Sequence, residues 1–430
     1  MLIQLIYRSH SRCALTEEAL LALGTSCTQR NQQRQIFGML LYDGEYFMQV
    51  LEGEESAIDA LYARIVGDAR HNDVVLLLRD PIPYIHFDQW RVEVLDMRES
   101  LSLSSSERWS RWCTTLGMQS HQEQRAERIV EAFVRGRWRD PVPAVTWFSE
   151  RSERDRLPKR SAVPAHSVVM RGDERTRFAL QPIVHTRDRR ITSVEALLRG
   201  PHGESPQTVL ASVPAKQLHA FDLHCKADAI ALASALNLDC TLSINLLPMS
   251  LVCNPGAIDF LVQQCQRYNW PLERLVVEVT EEEAITHIDG FRNAVRQLRA
   301  TGIQVAIDDF GAGHAGLSLL ADFQPDKLKL DKSIIQGVQT SGPRQAIVRS
   351  VIEFCFCLGI TVVAEGVETE AEWQWLQSAG VRRFQGYLFA RPGFECVPPV
   401  AWSSLLDIDE ANHALRQTQM NNLNRINTVV

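Results

Sequence analysis

Apolar and polar positions alternate with two different rhythms along this chain, and the change of rhythm divides it. LIQLIYRS alternates with period two, as a half-buried strand does. Thr16 stands where it can cap a helix running through Ala19, Leu20 and Leu23. FGMLLYDGEYFMQVLEG reads as a hairpin, because Asp43-Gly44 between two apolar runs is a preferred two-residue turn, and that turn sets Gln49 opposite Gly38. Ile58, Leu61, Tyr62, Ile65, Val66 and Ala69 recur at helical spacing, and VVLLL and WRVEVL supply two closing strands. The order βαββαββ over residues 1–97 predicts a ferredoxin-like α+β sheet with helices on one face.

The character changes over residues 98–170. Ser104 to Ser106 can start a helix carrying Trp109, Trp112 and Leu116, and a second helix carries Ile129, Val130, Phe133 and Val134. The stretch RWRDPVPAVTWFSERSERDRLPKRSAVP then reads as a charged, proline-containing connector. The tryptophans either dock on a neighbouring domain or second chain, or close a small helical core. From 171 to 410 the strands FALQPIV, ITSVEALLR, TLSINLL, LVVEVT, IQVAIDDF, KLKL, TVVAEG and RRFQGYLF alternate with helical stretches, which predicts a closed β/α barrel. Residues 411–430 form a tail.

With 430 residues, 45% hydrophobic and 23% charged, the chain has room for two globular domains. A net charge of -7 and a pI near 6.0 argue against a nucleic-acid polymer or an anionic membrane as the main partner. The ten cysteines form no C-x-x-C pair and read as reduced core residues. The opening MLIQLIYRSH is too short for a signal peptide, and no apolar run would cross a bilayer, so a soluble, cytoplasmic protein is expected.

Charge placement changes the picture in the second half. Glu195, Asn245, Glu278 and Asp308 each fall near the C-terminal end of an apolar strand, as do Asp309, Lys329, Asp331, Glu365 and Gln385. In a β/α barrel those ends converge on one face. So many carboxylates repel one another unless cations intervene, and an oxygen-only ligand set suits Mg²⁺ or Mn²⁺. Asp308-Asp309 can supply a bridging carboxylate and its neighbour for a two-metal clamp on a phosphodiester, with Lys329 on the phosphoryl oxygens. The plain alternative is a set of solvated strand ends, reasonable for one residue and poor for the whole series.

The segments VEALLRG, SINL, VEVTE, DDFGAG, KLKLD, AEGVE and FQGYLF resemble the motif series of the EAL family of cyclic di-GMP phosphodiesterases, in order over about residues 171–400. The resemblance implies a modified TIM (β/α) barrel. It implies that Glu195, Asn245, Glu278 and Asp308 bind one metal, and that Asp308 and Asp309 bind a second with Glu365 close to it or to its water. Lys329 and Gln385 would support the nucleophilic water and the phosphate. Glu281 resembles the glutamate that holds the DDFG loop, and Gln181, Arg199 and Asp331 fall among contacts to the dinucleotide. Two departures, Ala312 and His314, imply an altered loop beside an intact metal set. The resemblance also implies a homodimer.

In the first half, period-two alternation puts Tyr7 on the face of Ile3 and Leu5, and Gln49 on the face of Phe47 and Leu51. A buried phenol and amide need partners, and either each other or a flat ligand with donors and acceptors would serve. IYRS, NQQRQIFGMLLY, FMQVLEG and FDQW resemble the BLUF family of flavin-binding blue-light sensors. The resemblance implies bound FAD or FMN, with Tyr7 and Gln49 as the photoactive pair and Asn31 on the isoalloxazine edge. Ile36 would lie against the ring, Arg70 and His71 would make further contacts, and Trp90 would sit on the last strand. The methionine usual two residues later is Val92. The expected whole is a phosphodiesterase switched by blue light, which raises its activity. The competing expectations are a light-sensing receptor with a silent barrel, and a flavin oxidoreductase. The latter is disfavoured because no G-x-G-x-x-G follows a strand near the N-terminus.

Overall fold

The period-two segments of the first hundred residues become strands in the computed structural model, which describes residues 1–12, 15–68, 70–87, 92–98, 107, 125–136, 176–254, 256–280, 288–312, 320, 324–400 and 402. Strands β1 (Leu2–Ser11), β2 (Phe37–Tyr42), β3 (Tyr46–Glu54), β4 (His71–Pro81) and β5 (Val92–Asp96) form one sheet in the order β4-β1-β3-β2-β5. Helices α1 (Glu17–Gln32) and α2 (Glu55–Val66) connect them. This is the expected ferredoxin-like arrangement, extended by β5, which runs parallel to β2. Thr16 does cap α1, its Oγ1 accepting from Ala19 N at 3.2 Å.

The hairpin register departs from the two-residue turn. Tyr42 pairs with Phe47, so Gln49 lies across from Leu40 and Gly38 from Leu51. The side chain of Asp43 causes the longer turn: its Oδ1 accepts from Glu45 N at 3.0 Å and Tyr46 N at 2.7 Å, while Tyr42 Oη donates to Gly44 O at 2.7 Å. Gly38 is therefore no recess for the Gln49 amide. It has φ +153°, and a Cβ there would meet Val50 O at 1.9 Å, so the strands approach too closely for a side chain.

Eight strands close the barrel of the second half: β6 (Arg177–His185), β7 (Arg190–Arg199), β8 (Thr241–Asn245), β9 (Leu275–Thr280), β10 (Gln304–Phe310), β11 (Lys327–Leu330), β12 (Thr361–Ala364) and β13 (Arg383–Phe384). The modification of the TIM pattern is β6, antiparallel to both β7 and β13, and a short β14 (Gly393–Phe394) pairs with β6 at Leu180 and Ala179. Outer helices follow the strands: α4 (Pro206–Ser212), α5 (Leu218–Ala235), α6 (Pro248–Val252), α7 (Ala257–Arg267), α8 (Ile288–Thr301), α9 (Lys332–Ile335), α10 (Gly342–Cys357) and α11 (Glu370–Ser378). The barrel–helix core is apolar and built from the outward faces of the strands, for example Val194, Leu242, Val277, Ile307 and Leu328.

Between the two lies α3 (Arg125–Arg135), the second helix expected in the connecting region. Ala126, Ile129, Val130, Phe133 and Val134 pack on Ile6, Met39, Met48, Val50 and Leu78, the sheet face opposite α1 and α2. Its other side meets the barrel at Gly359, where φ is +67° and a Cβ would lie 2.4 Å from Arg125 O. Arg125 is 5% exposed; its Nη1 donates to Asp80 Oδ2 of β4 at 2.6 Å, and its Nη2 to Gln324 Oε1 at 2.5 Å. Arg299 of α8 reaches the same Asp80 carboxylate at 2.9 Å. Thus one aspartate of the N-terminal sheet is shared by the connecting helix and the barrel. Trp109, Trp112 and the tail 411–430 lie outside the described residues.

Candidate active site and sensor cavity

The barrel mouth is organised around one lysine. Strand parity points Lys327 and Lys329 of β11 into the barrel, and register sets Glu195 level with Gln181 and Asn245 level with Glu278. Lys329 Nζ lies 2.6 Å from Glu278, 2.6 Å from Glu365, 3.1 Å from Asp308 and 3.2 Å from Glu195. Asn245 Nδ2 donates to Glu195 Oε1 at 2.6 Å, and Gln385 Nε2 donates to Glu195 Oε2 at 2.7 Å and Gln181 Oε1 at 3.1 Å. Gln181 Nε2 in turn donates to Ala390 O at 3.1 Å.

Asp308 and Asp309 lie where the β10–β11 pairing slips, between Ile307 and Phe310. Asp309 takes a left-handed φ of 56°, which lets both adjacent carboxylates serve one site. Two overlapping ligand groups result, Glu195 with Glu278 and Asp308, and Asp308 with Asp309 and Glu365, each with oxygens within 4.8 Å of one another. Asp331 caps α9, accepting from Ser333 N at 2.8 Å, and Arg199 is the last residue of β7, its Nη1 donating to Leu198 O. Glu281 and His314 lie outside the described residues.

Four carboxylates against one ammonium leave the site short of positive charge. Burial, reinforced by Glu195 and Asp308, raises Glu278 to about 7 against the pull of Lys329, and burial plus Asp308 raises Asp309 to about 6. Glu365 is likewise pushed well above the usual range by burial and Asp308. For Glu195, burial is outweighed by Lys329, Gln385 and Asn245, and its carboxyl is lowered. Lysine 327 shows what the acids do. It lies on the same strand and face, its nearest partner is Thr241 Oγ1 at 3.3 Å, and burial pulls it down to about 8. Lys329, equally buried, is held well above its ordinary value by the acids around it. The donor set is all oxygen, Gln385 Oε1 is buried without a hydrogen-bond partner, and the two ligand groups share Asp308. These residues fit two hard divalent cations.

The N-terminal half holds a cavity of about 610 Å³ between the sheet and helices α1 and α2. Tyr7 and Gln49 lie opposite each other in the β1–β3 register, and Tyr7 Oη donates to Gln49 Oε1 at 2.6 Å. Both line the cavity, with Asn31, Arg70 and His71. Burial, then Cys27 and Tyr62, pushes the Tyr7 phenol well above its ordinary value, so it stays neutral. Arg70 is clasped by Asp68, Nη2 to Oδ2 at 2.5 Å, and the Arg70 hydrogen bond holds Asp68 at about 2 despite partial burial. Ile36 is fully buried beside Tyr7 and Leu51 but is not one of the residues that line the cavity. Trp90 lies outside the described residues.

The residues fit a flavin nucleotide on two observations. Ser9 Oγ and His71 Nδ1 are buried without hydrogen-bond partners, and both residues face the cavity, as a ligand with a polar edge requires. Arg30, Arg34 and Arg64 also line it, which suits an anionic end. Sequence reasoning missed these arginines and Ser9. Ser9 carried a readable signal, since it continues the period-two face of Leu5 and Tyr7.

An acid-crowded modified β/α barrel behind a ferredoxin-like sensor with a neutral phenol–amide couple defines a two-domain signalling class, and the comparisons agree. Residues 169–392 match the EAL domain family, and residues 2–93 match the family described as sensors of blue-light using FAD. The chain is 36% identical to the blue light- and temperature-regulated antirepressor BluF of Escherichia coli K12, over 94% of this chain and 99% of that protein. Among solved structures it is similar to Klebsiella pneumoniae BlrP1 in its calcium and cyclic di-GMP complex, at 40% identity, covering 93% and 98% of the two chains, with a TM-score of 0.52. The manganese and cyclic di-GMP complex at pH 6 matches equally well. The chain therefore belongs to the EAL family, in the form that carries a BLUF domain ahead of the barrel.

Proposed function

We propose that this protein hydrolyses cyclic di-GMP to linear pGpG with two divalent cations, Mg²⁺ or Mn²⁺, under the control of blue light absorbed by a flavin, FAD or FMN, in the first domain. The observation that carries the reading is the convergence of Glu195, Glu278, Asp308 and Glu365 on Lys329 Nζ. Bound cations supply the charge that activates water and stabilises the phosphoryl oxygens. Glu195, Asn245, Glu278 and Asp308 hold one of them, and Asp308, Asp309 and Glu365 the other. Lys329 remains protonated and offsets negative charge on the phosphoryl group in the transition state. The Gln385 amide donates hydrogen bonds to Gln181 and to Glu195, which keeps the Glu195 carboxylate turned toward the site. Arg199 and Asp331 contact the dinucleotide, and Glu281 holds the DDFG loop that follows β10.

In the sensor, Tyr7 donates its hydrogen bond to the Gln49 amide beside the flavin. A bound flavin would supply a light-driven oxidant, toward which the Tyr7 phenol would give up an electron and a proton. The amide, having both a donor and an acceptor end, then exchanges the bonds it makes. Ile36 backs this pair from the core, while Asn31, Arg70, His71 and Trp90 complete the flavin site. Residues 1–97 act as the sensor, 98–170 as the connector and 171–410 as the catalytic barrel. The protein acts as a homodimer in the cytoplasm; among the described residues, no helix is long and apolar enough to cross a membrane.

The similarity to an antirepressor gives one specific reason to weigh a receptor with a silent barrel. That reading predicts cyclic di-GMP binding without turnover. The intact carboxylate set favours the enzyme. Incubation of the purified protein with cyclic di-GMP and Mn²⁺, in light and in darkness, decides between them: pGpG accumulates if the proposal holds, and unchanged substrate at saturating metal overturns it.

A further inference from the structure

An outer helix of the barrel reaches the turn that follows Asn245. This turn is held at three points beyond the Asn245 side chain. Leu246 N donates to Glu278 O at 2.9 Å, in continuation of the β8–β9 ladder. Leu247 N donates to Asp222 Oδ2 at 2.9 Å, and Ser250 Oγ donates to the same oxygen at 2.7 Å. Asp222 belongs to α5 and is 2% exposed; its other oxygen lies 2.8 Å from Lys226 Nζ, one turn along the helix and also buried. Asn254 Nδ2 bonds Ser250 O at 2.7 Å and His219 O at 3.3 Å, fastening the far end of α6 to α5 as well.

Stability alone is a poor reason for this arrangement. A buried ion pair loses hydration on both sides, and a well-packed apolar pair of similar volume holds a helix as well or better. An apolar pair cannot accept two hydrogen bonds at the start of α6. We infer that Asp222 is a positioning residue for the metal site: its carboxylate fixes the β8–α6 turn and so aims the Asn245 amide, which lies 2.6 Å from Glu195. Lys226, paired with the other carboxylate oxygen, orients it. The inference rests on the reading of Asn245 as a metal ligand. It accounts for a buried charge pair that takes no part in the mouth of the barrel.

The test is direct Mn²⁺ binding to the full-length protein, without substrate, followed by electron paramagnetic resonance. Hydrolysis is measured in parallel at saturating Mn²⁺. Asp222→Leu/Lys226→Met removes the acceptor and both charges together, and is expected to weaken Mn²⁺ binding about tenfold, as loss of an outer partner of a ligand does. The KM for cyclic di-GMP at saturating Mn²⁺ should stay within about twofold of wild type, because the turn and not the dinucleotide site is altered. Asp222→Asn/Lys226→Met keeps an acceptor for Leu247 N and should recover binding to within about threefold of wild type. Asn245→Ala separates the two levels of failure. If it binds Mn²⁺ as wild type does, the metal assignment fails and takes this inference with it. If it binds weakly while the Leu/Met pair binds normally, only the role of Asp222 is overturned. Should the Leu/Met pair not fold, amide exchange in the wild-type protein decides. Leu247 N–H exchanging as slowly as the β8 amides supports the role, and exchange at the free-peptide rate refutes it.

Discussion

The barrel mouth and the sensor cavity solve opposite problems with polar groups. At the mouth, four carboxylates crowd one ammonium on rigid strand ends, and the charges are tied to one another or to amides. In the cavity the central pair is neutral, a phenol donating to an amide, with two nearby polar atoms left without partners. A fixed, charged constellation suits chemistry, because its field is in place before the substrate arrives. A neutral couple suits switching, because donor and acceptor can be exchanged without moving net charge through a low-dielectric interior. The comparison teaches that rigidity and exchangeability are kept in separate domains, with α3 packed between them.

The largest effect should come from breaking the charged side. Asp308→Asn removes the carboxylate shared by both ligand groups and should lower turnover at saturating Mn²⁺ by about a thousandfold. A rate near wild type would refute the shared-ligand reading. Breaking the neutral side should leave basal hydrolysis intact and abolish its control. Blue light should raise hydrolysis severalfold in the wild-type protein and not at all in Tyr7→Phe or Gln49→Leu, although both keep flavin bound. Matched light and dark assays, with the flavin absorption shift recorded, check this. A light-dependent decrease in the wild-type protein would reverse the sign while leaving the coupling.

The junction offers a sharper cut. Asp80→Asn leaves the buried Arg125 and the partly buried Arg299 without their shared carboxylate. Loss of one partner from a buried cluster costs about 3 kcal/mol, so denaturation should split toward two transitions and the light-to-dark activity ratio should fall. A single unshifted transition with a normal ratio would show that Asp80 is not needed to hold the domains. The smallest effect concerns pH. The native Tyr7 pKa is raised, so the folded state keeps a proton that the unfolded chain loses near about pH 10. This group therefore subtracts stability only as pH climbs past that value, and the amplitude of the flavin shift should be flat from about pH 6 to about pH 9. A decline in that window would place the phenol's titration within the ordinary range.

What the sequence determined by itself was whatever depends on short periods and on strand ends. Period two placed Tyr7 and Gln49 on one face, and the side chains do meet at 2.6 Å. Carboxylates at the ends of parallel strands were legible because the β/α topology gathers strand ends whatever the loops do. The Thr16 cap and the α3 apolar stripe were local patterns of the same kind. Tertiary structure decided what rests on one particular side chain or on long-range contact. The Asp43 carboxylate capped a longer turn and moved the hairpin register by two residues, which no dipeptide preference for Asp-Gly could foresee. Ser9 and the arginines of α1 and α2 became cavity lining only when helix and sheet were packed together. Asp80, Arg125 and Arg299 are ordinary charges in sequence. They meet because α3 is buried between two domains, where an unpaired charge would lose its hydration and three such groups separated by many residues must find one another.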